Sequence, residues 1–124
     1  MCLITKQKWP KIAWKPIITY KVVYTPDGFQ PFLTLYQSFP IRLHNVYKET
    51  LGNILKNRQN LTVGYEIHQG IHSNIELSQA KIIAKCFKYY NTKVVECVIP
   101  RFSLYWVGID NDIVSNKLKY IKVL

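Results

Sequence analysis

The sequence predicts an α+β fold, a single domain with a mostly antiparallel sheet and one main helix. Three observations carry that expectation. Runs rich in β-branched and aromatic residues recur at 17–24, 61–67, 94–99, 102–109 and 118–123. Only one window, at about 76–90, has clear helical spacing. Strands therefore come in runs around one helix, not in the strict alternation of a doubly wound fold. The 124 residues suit one domain.

Residues 1–16 read as a basic extended arm, and 17–124 as the domain. The arm carries Lys6, Lys8, Lys11 and Lys15 with no acid. Pro10 and Pro16 break any helix there. Ile17–Tyr24 is a strand by composition, and Pro26-Asp27-Gly28 is a turn. Phe29–Ile41, broken by Pro31 and Pro40, reads as short extended pieces or an edge strand. His44–Asn60 is open between a partial helix and a short strand near 46–50 followed by a loop. Leu61–Ile67 is the next strand, ending near Gly70.

The helix follows. Ser73 and Glu76 have the S-x-x-E spacing of a capping box. Ala80, Ile83, Phe87 and Tyr90 form one apolar face, with Lys81, Lys85 and Lys88 opposite. Val94–Ile99, ended by Pro100, reads as a buried strand. Phe102–Ile109 is aromatic-rich, Asp110-Asn111-Asp112 is a turn, and Leu118–Val123 is a final strand.

The formal charge is +10, from 17 Lys plus Arg against 7 Asp plus Glu. An acidic protein or a nucleic acid is the class of partner that such a balance favours. No apolar run approaches the roughly 20 residues that span a bilayer, so no membrane role is expected. The first residues lack the apolar core of a secretory signal. Cys2, Cys86 and Cys97 are odd in number and have no C-x-x-C spacing, so neither a disulfide framework nor a zinc site is expected. A reducing, cytoplasmic setting follows from that usage. Cys86 and Cys97 read as small core residues.

No cofactor or metal is expected. His68 and His72 flank Gly70 in a strand-to-turn context that does not aim both rings at one ion, and His44 lies apart. Asp27, Asp110 and Asp112 look like turn residues and Glu76 like a cap, so no paired carboxylates stand out for acid–base work. Walker, dinucleotide and nucleophile-elbow motifs are absent. His72 precedes the predicted helix start, where an anion would be favoured. Lysines and aromatics interleave at 6–15 and 101–122, the composition of surfaces that hold single strands. Yet 14 of the 17 cations are Lys, and Lys is the weaker fork for bases and phosphates.

Several stretches together resemble small proteins of gut Bacteroidetes and their phages. They are Met1-Cys2-Leu3-Ile4-Thr5, Lys11-Ile12-Ala13, Ile18-Thr19-Tyr20-Lys21-Val22, Gly70-Ile71-His72-Ser73, the Ala80 helix, Glu96-Cys97-Val98-Ile99-Pro100, Tyr105-Trp106 and Val114-Ser115-Asn116-Lys117. That resemblance implies a phage or mobile-element accessory role but no particular activity. More distantly, the order Tyr20-Lys21, Gly70-Ile71-His72-Ser73, Val98-Ile99-Pro100-Arg101 is similar to mono-ADP-ribosyltransferases. Lys21 stands where that family has Arg, and 110–118 has no Glu where the family has Glu-x-Glu. A shared fold would imply a degenerate site.

The leading expectation is a non-catalytic basic protein that binds an acidic or macromolecular partner. Its basic surface would combine Lys6, Lys8, Lys11 and Lys15 with Lys117, Lys119 and Lys122, gathered on one face if the last strand lies near the first. The alternative is a degenerate ADP-ribosyltransferase-like nucleotide-ligand binder or enzyme. Lys21, His72 and Ser73 would line its cleft, with Tyr20 or Tyr105 stacking on a base. A third reading is a homo-oligomeric structural protein held through Trp9 and Trp14.

Overall fold

The structure, a computed structural model, describes residues 3–7, 9–26, 32–35, 40–49, 52–57, 64–87 and 91–124. Strands β1 (Leu3–Thr5), β2 (Lys11–Ile12), β3 (Ile17–Tyr24), β4 (Phe32–Thr34), β5 (Pro40–Ile41), β6 (Val46–Lys48), β7 (Gly52–Asn57), β8 (Gly64–Gln69) and β9 (Ile71–Asn74) come first. Helix α1 (Leu77–Cys86) follows, then β10 (Thr92–Ile99), β11 (Leu104–Val107), β12 (Asp112–Ser115) and β13 (Lys117–Val123). The expected α+β class, mostly antiparallel with one helix, is what these elements form.

β3 is the organising strand. Its alternation separates Ile17, Thr19, Lys21 and Val23 from Ile18, Tyr20, Val22 and Tyr24. It pairs along its whole length with β10, from Ile17↔Ile99 to Tyr24↔Thr92. The larger sheet then runs β2-β11-β12-β9-β3-β10-β13-β6, with β4 and β5 added beside the end of β3. A smaller sheet, β1-β8-β7, lies apart. All the pairings are antiparallel.

The larger sheet curls. β12 and β13 are separated in sequence by Asn116 alone, yet β9, β3 and β10 lie between them in the sheet. Side chains from strands far apart in that order therefore meet in one core. Val23, Ile71, Val95, Cys97, Ile99, Ile113, Leu118 and Tyr120 are buried together, with Tyr105 and Tyr47 packed against them. This is the inner face. The outer face is covered in two places. α1 packs Leu77, Ala80, Ile83 and Ala84 over Val22, Val94 and Tyr20. Leu3 and Ile67 of the small sheet pack on Trp106 and Val114.

Several sequence expectations are corrected here. The helix runs Leu77–Cys86 and not 76–90; Lys88 and Tyr90 lie outside the described residues. Glu76 is the N-cap residue but makes no side-chain capping bond. Ser73 sits in β9, paired with Ile113, and is buried on the inner face. Strand pairing therefore removes it from the helix end, and no capping box forms. Asp112 opens β12 instead of completing a turn, and β7 occupies 52–57, where the two alternatives were a helix or a loop. Cys97 is a core residue, whereas Cys86 is exposed at the end of α1.

Of the expected arm, β1 is built into the smaller sheet and β2 into the larger one. Leu3 pairs with Ile67, and Lys11 with Tyr105. Leu3, Thr5 and Ala13 are buried. Cys2, Lys8 and the Asp27-Gly28 turn lie outside the described residues. No helix among the described residues is long and apolar enough to cross a membrane.

Candidate functional site

The five residues proposed to line a cleft fall on two faces. Lys21, Ser73 and Tyr105 belong to the inner face. The register Tyr20↔Asn74 brings Lys21 beside Ser73 on the neighbouring strand. Tyr105 packs against the buried core from β11. Tyr20 points to the other side, under α1. His72 also faces outward, opposite Val114 of the cluster beneath the small sheet. Tyr20 and His72 are thus parted by the sheet from Lys21, Ser73 and Tyr105.

The inner group has its own electrostatics. Thr19 and Ser73 flank Lys21, and both hydroxyls are buried without a hydrogen-bond partner. Burial pulls the Lys21 ammonium down to about 8 from its ordinary 10.5, partly countered by Cys97 and Glu49. The Cys97 thiol is pushed up to about 12 by burial. His72 is lowered to about 4, first by burial and then by the Lys21 charge. His72 is therefore neutral at pH 7. Among the described residues, no cluster of three or more His, Cys, Asp or Glu is placed to hold a metal.

A second site lies on the outer face, at the end that α1 leaves open. Register partners share a face, so Ile18, Val98, Lys119 and Val46 form one row across β3, β10, β13 and β6. Ile18 is 55% exposed and Val46 45% exposed. In the next row Lys117 stands directly opposite Lys48. Trp14, Lys15, Arg101 and Phe102 lie where β3 begins and β10 ends. The Phe102 N–H donates to the Ala13 carbonyl at 2.6 Å and fixes these two segments side by side. Trp14 meets Phe102 edge-on at 6.2 Å, and the Arg101 guanidinium lies 4.6 Å over the Phe102 ring.

Acids are scarce at this end. Lys122 pairs with Glu96 at 4.0 Å one row away, the one ion pair among the described residues. Glu49 alternates with Lys48 and acts on Lys21, on the inner side. The expected basic surface is thus divided. Lys15, Lys117, Lys119 and Lys122 gather near this end, whereas Lys11 is on edge strand β2 and Lys6 follows β1. The last strand pairs with β10 and β6, not with the first strand. Lys48 was absent from the sequence expectation, and Arg101 and Phe102 entered it only as part of the interleaved window 101–122. Only the register of β6 on β13 shows that Lys48 belongs here. A basic-aromatic pair directly after Pro100 was the available signal for the other two.

Comparison with protein-family models, with curated proteins and with solved structures found no match.

Proposed function

We propose that the protein is a non-catalytic binding module that holds an acidic macromolecule on the open outer end of its larger sheet. One observation carries this reading: Lys117 and Lys48 are direct cross-strand partners. Like charges in that position oppose each other and weaken the pairing. An anion lying across them would relieve the repulsion. An accessory role in a phage or mobile element fits this reading and rests on the resemblance of the short stretches above.

The test is thermal unfolding with and without heparin at low ionic strength. A polyanion that binds only the folded chain raises Tm, and salt abolishes the rise by screening. Lys48→Gln with Lys117→Gln should remove most of the shift while leaving the unliganded Tm equal or higher. No polyanion-dependent shift at low salt would remove the reading.

A further inference from the structure

We infer that the occupant of this face is an unpaired nucleic-acid strand, held by its phosphates and stacked through its bases. The inference rests on the acidic-partner reading and adds three observations to it.

The first is shape. The open end lies on the outer side of the curled sheet, where Ile18 to Val46 covers three interstrand spacings, about 14 Å. The row runs Ile18, Val98, Lys119 and Val46, so apolar side chains lie on both sides of a cation, and Lys117 and Lys48 stand in the next row. Lys117 and Lys119 project from the same face of β13, about 7 Å apart along the strand. An extended polyanion can follow that line.

The second is the pair of exposed aromatic rings. Trp14 is 67% and Phe102 58% exposed, although both are large and apolar. Arg101 already lies over Phe102, so Trp14, the more exposed of the two, offers the freer ring. Exposed rings beside a cationic track make a stacking platform for bases, which every base can use. An acidic peptide has no need of such rings, and a duplex keeps its bases inside its own stack.

The third is the cation type. Lys supplies point charges, and Arg101, the one arginine beside these rings among the described residues, is engaged with Phe102. Lys lacks the planar two-pronged geometry that reads base edges. The surface should therefore bind single strands with little sequence preference.

The experiment is fluorescence anisotropy of the full chain with labelled dT15, a 15-base-pair duplex and poly-glutamate, across a salt series. Single strand should bind at least tenfold tighter than duplex, with quenching of tryptophan emission. Trp14→Ala should weaken dT15 binding about tenfold or more at an unchanged salt slope, as loss of one stacked base implies. Lys117→Gln with Lys119→Gln should lower the log–log salt slope by about 1.4, from two phosphate contacts on a single strand. Melting curves establish that each variant is folded. If poly-glutamate or duplex binds as tightly as dT15 and Trp14→Ala changes nothing, the acidic-partner reading stands and the single-strand inference falls. If none of the three binds at low salt, both fall.

Discussion

Asn116 and Leu104 hold each other at two points. The Asn116 N–H donates to the Leu104 carbonyl at 3.1 Å, and the Leu104 N–H donates to Asn116 Oδ1 at 2.9 Å. The Asn116 carbonyl in turn accepts from the Glu49 N–H at 2.9 Å. This single residue separates β12 from β13, so the corner on which the sheet curls is fixed by its side chain and its backbone together. Asn116→Ala leaves the Leu104 N–H without its partner. We expect a loss of about 1–3 kcal/mol. Urea denaturation measures it, and a loss below the error of the fit would show that the corner stands without the amide.

Ser73 separates two accounts of the segment before α1. As a helix cap, its replacement by Ala would lose about 1 kcal/mol. As a buried hydroxyl without a partner, its removal should be neutral or stabilising, because the desolvation penalty goes with it. We expect Ser73→Ala to keep or raise the urea midpoint. Glu76→Ala should leave it unchanged, since Glu76 makes no capping bond.

Lys21 and His72 give stability that rises with pH in two windows. His72 lies at about 4 in the native state against 6.5 ordinarily. Between these values the unfolded chain holds a proton that the native state lacks, so stability is full above 6.5 and falls as pH drops toward 4. Lys21 repeats the pattern between about 8 and 10.5. Each group can contribute on the order of 3 kcal/mol across its window. Cys97 and Tyr120, both raised by burial, act in the opposite sense at alkaline pH. The Lys21 effect is therefore read as a difference. Lys21→Met should exceed the native chain in stability at pH 7, and the gap should close toward pH 10.5. A gap independent of pH would contradict the desolvation of Lys21.

Gly108 closes the β11–β12 hairpin. Its N–H donates to the Asp112 carbonyl at 2.8 Å, and Asn111 adopts a φ of 59° in the loop between them. A Cβ at Gly108 would collide with the Asp112 carboxylate and approach Leu3 to 3.0 Å. Gly108→Ala should cost about 1–3 kcal/mol through overpacking. Pairing it with Asp112→Ala should recover part of the loss if the carboxylate is the obstacle. Leu3 would then account for the remainder.

The parts of the fold read correctly were those whose local composition already matched their final pairing. Ile17–Tyr24 was legible to the residue, because seven β-favouring residues, broken only by Lys21, lie between Pro16 and Thr25-Pro26. Residues 46–50 were left open between helix and strand, and Val46–Lys48 is strand because Leu118 lies opposite Tyr47. β9 was missed because Ser73 and Glu76 imitate a cap, while the pairing with β12 and β3 that decides the matter is distant in sequence. β12 was hidden by Asp110-Asn111-Asp112, which has turn composition although the third residue is already in the strand. The site shows the same limit. Register sets Lys21 beside Ser73, but alternation places Tyr20 on the opposite face from Lys21. Lys48 joins Lys117 only through register, which no local pattern reports.

The pairing of the first strands with later ones also bears on the order in which the chain can fold. Leu3 waits for Ile67, and Lys11 waits for Tyr105. Thr5 Oγ1 donates to the Val107 carbonyl across a separation of 102 residues. β1 therefore stays unpaired until β8 has been made, and β2 until β11 has been made. Closure over such separations slows folding. The lysines at 6, 8, 11 and 15 are then solvated cations on an unpaired chain, and their mutual repulsion works against premature association during that interval.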